Sequence, residues 1–351
     1  MISKLRAPKR HIAVVAGVLS LSFAMAGCSS GNGDSSSGGG NVVVSSYGGS
    51  FQQAQQTALF NPFSEKSGVT VKATEGTGFD PLKAQEEAGD VTWDVVSLEG
   101  APFANAVKSG LLEPLDFGKI KTEGIAPDVV NDHGVGYIQF STNLVWDKSK
   151  IASMTPKDFF DPSIKLPRSL PDVPERTLEF ALMGDGVAPE DMYPLDVDRA
   201  FKVLDRIKDQ VVGFKGPSDS QSLMQQGDVA VSFQSAGRAE DAIKAGANWG
   251  YAWDGAVRDT EYWAIAKGAK NAAAAQDFIA YAVQPDSQAA LAKAIPYGPT
   301  NTNAYANLSA DVNAKLPSFP ENAKKGVTLD TAWWVDNSTD VKKRWDSWLL
   351  Q

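Results

Sequence analysis

Residues 41–76, NVVVSSYGGSFQQAQQTALFNPFSEKSGVTVKATEG, decide the fold. Three valines and two serines form a short β run that stops at Tyr47-Gly48-Gly49. Phe51, Ala54, Ala58 and Phe63 then recur at helix-like spacing as far as Gly68, and VTVKATEG reads as a second strand. The alternation continues outward with a short amphipathic helix through Leu82 and Glu86, a strand in VTWDVVSLEG, and a helix in PFANAVKSG. Strands separated by helices of this size give an α/β fold with a mainly parallel sheet covered on both faces. In such sheets ligands bind just past the carboxyl ends of strands. Those ends make Tyr47, Gly48, Ser97 and Glu99 candidate ligand-binding residues, with glycine allowing close backbone approach and Tyr47 offering an aromatic face with a hydroxyl.

The beginning of the chain sets the compartment. Lys4, Arg6, Lys9 and Arg10 precede an apolar run from Ile12 to Phe23, and small residues lead into Cys28. This is the order of a secretory signal over residues 1–27, too short and wrongly flanked for a membrane span. Met25-Ala26-Gly27-Cys28 resembles a bacterial lipobox, so the single cysteine is the expected site of lipid attachment. The following Ser/Gly tract, through residue 40, cannot bury enough surface to order itself and reads as a flexible tether. The expected location is the outer face of the cytoplasmic membrane, with a lipid-anchored domain working in water.

Composition excludes several function classes. Removing the four basic residues of the signal leaves 29 Lys and Arg against 42 Asp and Glu, a net charge near −13. So acidic a chain lacks the clustered cations that nucleic acid requires. One cysteine allows neither a disulfide framework nor a thiolate metal site, and no cofactor pattern is present. Beyond the signal, His133 is the only histidine, set among the turn-formers Asn131, Asp132 and Gly134. No GxSxG, HExxH or GxxxxGK[ST] pattern occurs, which points away from an enzyme.

The second half carries the densest chemistry. In GVGYIQFSTNLVWDKSKI, two apolar strand runs are expected on either side of a polar break at Ser141-Thr142-Asn143, a candidate crossing between lobes. Within 227–271 the strand VAVSF leads into Gln234, Ser235 and Arg238, and the strand YWAIA is preceded by Arg258, Asp259 and Glu261. Tyr251, Trp253, Tyr262 and Trp263 are interleaved, and the stretch reads as one wall of a small-molecule pocket. Phe201, Leu204 and Ile207 mark the buried face of a helix, and the tryptophans of TAWWVDNSTDVKKRWDSWLLQ read as core. About 310 residues beyond the tether suggest two lobes.

These motifs, in order, resemble the solute-binding proteins of ABC importers, in the spermidine/putrescine-binding branch. SSYGGSFQQA, DVVSLEG followed by SGLLEPLD, YIQFSTNLVWDKSKI, GDVAVSFQSAGRAEDA, YWAIAKGAKN and AIPYGPTNTNAY carry the likeness over residues 41–351. The resemblance implies a two-lobed periplasmic-binding fold of type II character, hinged between lobes, with residues 41–142 and 264–305 in one lobe and 143–263 and 306–351 in the other. It implies a monomer that delivers a small ligand to a permease and its ATPase. The expected ligand site comprises Tyr47, Gly48, Ser97, Glu99, Ser141, Thr142, Ser235, Arg238, Trp253, Asp259, Glu261 and Trp263. Glu261 matches the family's amine-binding carboxylate, with Asp259 two residues earlier. Three positions depart from the polyamine pattern: Ser235 stands where an aromatic is expected, and Val173 and Arg176 stand at an acidic pair, with Asp172 and Glu175 one residue away. Arg238 beside a carboxylate suits a zwitterion such as 4-aminobutyrate as well as a polyamine. Capture of an oxyanion by Ser45, Ser46, Ser50 and Ser97 is the alternative.

Overall fold

The computed structural model describes residues 40–350; the expected signal, Cys28 and nearly all of the tether lie outside the described residues. The main strands are β1 (Asn41–Ser46), β2 (Thr70–Glu75), β3 (Val95–Glu99), β4 (Gly134–Asp147), β5 (Arg168–Pro171), β6 (Val211–Phe214), β7 (Val231–Ser235) and β8 (Val257–Ala266). They stand side by side in the order β2-β1-β3-β8-β4-β7-β5-β6. Strands β2, β1 and β3 run parallel, as do β7, β5 and β6, while the central pair β8 and β4 is antiparallel. Because β3 pairs antiparallel with β8, and β7 with β4, the carboxyl ends of the two parallel groups point toward each other. Glu99 at the end of β3 lies opposite Glu261, and Ser235 at the end of β7 lies opposite Thr142. Both ends therefore reach the same short stretch of the central pair, where Val257 faces Thr142 and Glu261 faces Ile138.

The longer helices are α1 (Gly49–Gln55), α2 (Asn61–Ser67), α3 (Phe79–Ala88), α4 (Gly100–Lys108), α5 (Thr177–Gly184), α6 (Val197–Asp205), α7 (Pro217–Gln226), α8 (Ala236–Lys244), α9 (Ala272–Ala282), α10 (Pro285–Ala294) and α11 (Thr331–Leu349). A single π-helical stretch, Gln56–Phe60, joins α1 to α2. The helix ends at Gly68, whose φ of 75° is the left-handed cap conformation that glycine adopts without a Cβ clash. The expected apolar stripe is the buried one: Phe51, Ala54, Ala58 and Phe63 are all buried.

Apolar burial falls into two large groups. One gathers β1, α2, α9 and α10 around Phe60, Tyr137, Trp263 and Phe278. The other gathers α5, α6 and α11 around Phe159, Phe180, Phe233, Trp334 and Trp345. Phe201, Leu204 and Ile207 belong to the second group, as their spacing predicted.

Two expectations need correction. The polar triplet at 141–143 does not interrupt the strand, because β4 runs unbroken for 14 residues. Ser141 donates to Asn143 at 2.6 Å, and Asn143 donates to the Ala252 carbonyl at 2.8 Å, so the buried polar groups are satisfied inside the sheet. Likewise Arg258, Asp259 and Glu261 do not precede a strand; they lie within β8. Alternation along a strand puts Asp259 and Glu261 on one side and Arg258 on the other. Arg258 accordingly bonds the Ala323 carbonyl and Thr328, away from the acids. His133 sits half-buried in the turn into β4.

Candidate functional site

A cleft of about 400 Å³ opens where the two sets of strand ends meet. Six of the expected residues line it: Tyr47, Glu99, Thr142, Ser235, Arg238 and Glu261. Its apolar walls are supplied by Phe51, Phe140, Phe214, Phe233 and Tyr297. Tyr297 packs edge-on against Phe51 with centroids 5.3 Å apart, and its hydroxyl lies 3.4 Å from Ser235 Oγ.

Glu261 is the buried acid of the floor, only 3% exposed. Its Oε1 accepts from the Tyr137 hydroxyl at 3.0 Å and from Ser97. Gln55 in turn donates to Tyr137 at 2.9 Å and accepts from Ser46 at 2.5 Å, so α1 and β1 brace the acid from behind. Burial, joined by the charges of Glu99 and Asp259, pushes the Glu261 carboxyl up to about 8 against the lowering effect of Ser97 and Tyr137. The shift favours the protonated form of Glu261 at neutral pH.

Arg238 stands in the first turn of α8. Its Nη2 lies 3.7 Å from where a Cβ on Gly49 would sit, which brings it beside the start of α1. Among the described residues it has no ion-pair partner. The amino ends of α7 and α8 also border the cleft at Gly216 and Ser235. Unpaired backbone N–H groups at helix starts favour negative charge.

Arg176 is the residue that sequence reasoning set aside. It precedes α5 with φ of 70°, the only non-glycine in the left-handed region among the described residues. Its guanidinium lies over the Phe140 ring at 5.3 Å, and its Nη2 donates to Glu99 and, at 3.3 Å, to Asp259. Burial works against its charge, but Glu99 and Asp259 more than offset that and hold it above its ordinary value. Burial raises Asp259, while Arg176 pulls it back down. The signal that points to Arg176 is positional: PDVPER follows the carboxyl end of β5, where ligands of open sheets bind. That strand is only four residues long and contains proline, so periodicity does not reveal it.

The remaining expected residues fall outside the cleft surface. Ser97 is buried beneath it and donates to Glu261, and Asp259 is buried behind Arg176. Gly48 forms the turn before α1, with φ of 69°, and a Cβ there would collide with the Glu75 carboxylate. Ser141 is fully buried and bonded to Asn143. Trp253 is half-buried and packs edge-on against Tyr251, with centroids 5.6 Å apart. Trp263 is fully buried in the core, stacked on Tyr137 at 4.1 Å.

The family model described as bacterial extracellular solute-binding protein matches residues 58–320. The chain belongs to that family. This solute-binding protein is a carrier of small molecules and not an enzyme. It is 33% identical to the gamma-aminobutyric acid-binding protein of Pseudomonas aeruginosa over 88% of this chain and 90% of that one. The spermidine/putrescine-binding periplasmic protein of Salmonella typhimurium is 22% identical, over 81% of this chain and 84% of the other. Among solved structures, the PBP AgtB of A. tumefaciens in complex with agropinic acid superposes with a TM-score of 0.84 at 52% identity. That match covers 89% of this chain and 99% of AgtB. No described helix of the solute-binding protein is long and apolar enough to cross a membrane.

Proposed function

We propose that this protein captures a small carboxylate-bearing solute in the cleft and hands it to an ABC permease. The carboxylate docks on Arg238 and the amino ends of α7 and α8, and an amino or other donor group reaches Glu261. The observation that carries this reading is Arg238: a cleft-lining guanidinium with no ion-pair partner among the described residues. A planar fork left unpaired suits bidentate capture of a carboxylate. Aromatic walls then take the methylenes, as Phe51, Phe140 and Tyr297 are placed to do. The gamma-aminobutyric acid-binding relative and the agropinic acid complex support the same class of ligand. An inorganic oxyanion fits less well, because Glu99, Glu175 and Glu261 border the same space.

The test is calorimetry and thermal melting of the domain from Asn41 with 4-aminobutyrate, butyrate, n-butylamine and sulfate. A ligand at a hundred times its dissociation constant stabilises the folded state by about 2.7 kcal/mol. 4-Aminobutyrate is expected to bind more tightly than butyrate, and its advantage grows with pH. Since the Glu261 carboxyl is pushed up to about 8 in the free protein, an ammonium must displace its proton to gain the carboxylate charge. Affinity for 4-aminobutyrate should therefore rise by up to about tenfold per pH unit below 8 and level off above it, while butyrate shows no such slope. Binding of sulfate or n-butylamine in preference to both acids would overturn the reading.

We further propose that the domain forms two hinged lobes that close on the solute, acts as a monomer, and is exported and held at the membrane by lipid on Cys28. Cys28→Ser should move the protein from the membrane pellet to the soluble fraction; unchanged fractionation would sink the anchor.

A further inference from the structure

The cleft contains more acid than a single-amine ligand requires. Besides Glu261, Glu99 lines it and Asp259 lies buried behind Arg176, their side chains 28% and 4% exposed. Left alone, such a pair would be an ammonium-binding site, because a buried acid without a cation is strained electrostatically. Arg176 already occupies it. One guanidinium nitrogen donates to both carboxylates, and the ring of Phe140 backs the group.

The arrangement also spans the molecule. Glu99 ends β3 beside α4, whereas Arg176 immediately precedes α5, whose Leu178 and Phe180 are buried in the other apolar group. The backbone adopts a conformation unfavourable for arginine to bring it there, with φ of 70°. A residue held against its backbone preference at a cleft marks a site where placement of that side chain dominates.

We propose that Arg176 is a built-in counter-cation that fills the Glu99–Asp259 pair and so excludes solutes carrying a second ammonium group. The inference rests on the reading of the cleft as a carboxylate site and adds a specificity determinant to it. A free diamine competing for the acids must displace a cation tethered to the chain, whose effective concentration at the pair is far above that of any solute. Remove the guanidinium, and the two acids and the vacated space become available to a ligand ammonium.

Titrating 1,4-diaminobutane into wild type, Arg176→Met and Arg176→Gln by calorimetry tests this. The neutral variants should bind the diamine at least about tenfold more tightly than wild type, with an affinity that falls as salt rises. Adding Glu99→Gln to either should remove the gain. Arg176→Lys, which keeps a cation on the acids, should stay as blind to the diamine as wild type. Two neutral side chains of different polarity give two chances of a cooperative melt, and either one suffices. A folded neutral variant with no gain would overturn the inference, as would an equal gain in Arg176→Lys or diamine binding by wild type as tight as by the neutral variants. Failure of the carboxylate reading shows elsewhere, in wild-type titrations with butyrate and 4-aminobutyrate.

Discussion

Replacing Arg238 with alanine is expected to weaken capture of a carboxylate-bearing solute sharply while leaving the fold intact. Arg238 faces the cleft from the first turn of α8 and makes no ion pair among the described residues, so its loss leaves no buried acid stranded. The ligand's carboxylate, by contrast, loses its charged partner inside a largely apolar pocket. Truncating one member of a buried, hydrogen-bonded charge pair costs about 2–5 kcal/mol, or roughly 30-fold to 5,000-fold in affinity. Arg238→Lys should recover only part of that, because an ammonium cannot supply the bidentate fork. Calorimetry with 4-aminobutyrate checks the first number, and an unchanged melting temperature without ligand checks the second. Retained affinity in Arg238→Ala would place carboxylate recognition elsewhere.

The second large effect concerns Trp263. Its ring is fully buried, stacked on Tyr137 and edge-on to Phe278 at 5.5 Å. Trp263→Ala should lower the unfolding free energy by about 3–5 kcal/mol, read from the midpoint of denaturant unfolding. Ligand affinity should fall as well, because Tyr137 loses the surface that holds its hydroxyl against Glu261. Trp263→Phe should recover most of both. The indole Nε1 is buried without a hydrogen-bond partner, so phenylalanine removes an unsatisfied donor while keeping an aromatic ring in the core. A Trp263→Ala protein with wild-type stability but no ligand binding would return this residue to the cleft.

The contrast between Arg238 and Trp263 shows how far residue order reaches. Both stand in the 227–271 stretch read as a pocket wall, and only the arginine lines the cleft. Charge was legible because an arginine in the first turn after a strand has few places to go. The aromatic was not, since a tryptophan satisfies a core and a ligand platform equally well. Which side of β8 is covered depends on α9 and on Tyr137, and neither is visible in the local sequence. Tyr297, Phe140 and Phe51, which do form the walls, read as turn, strand and helix residues respectively. The unbroken β4 has the same origin: Ser141 and Asn143 look like a break until their partners within the sheet are known.

By itself the sequence determined the α/β alternation, the strand ends at Tyr47 and Glu99, the exclusion of hydrolase and thiolate-metal chemistry, and the presence of a cation and acids in one stretch. These follow from short-range periodicity and from counting residue types. Only the tertiary structure decided which acids remain open to a ligand. Arg176 meets Glu99 across 77 residues and Asp259 across 83, so its charge is already committed inside the protein. Arg238, a candidate from the sequence onward, lines the cleft and makes no ion pair among the described residues. Pairing between distant segments depends on where two sets of strand ends converge. No local pattern records that convergence, because it is set by the order of strands in the sheet.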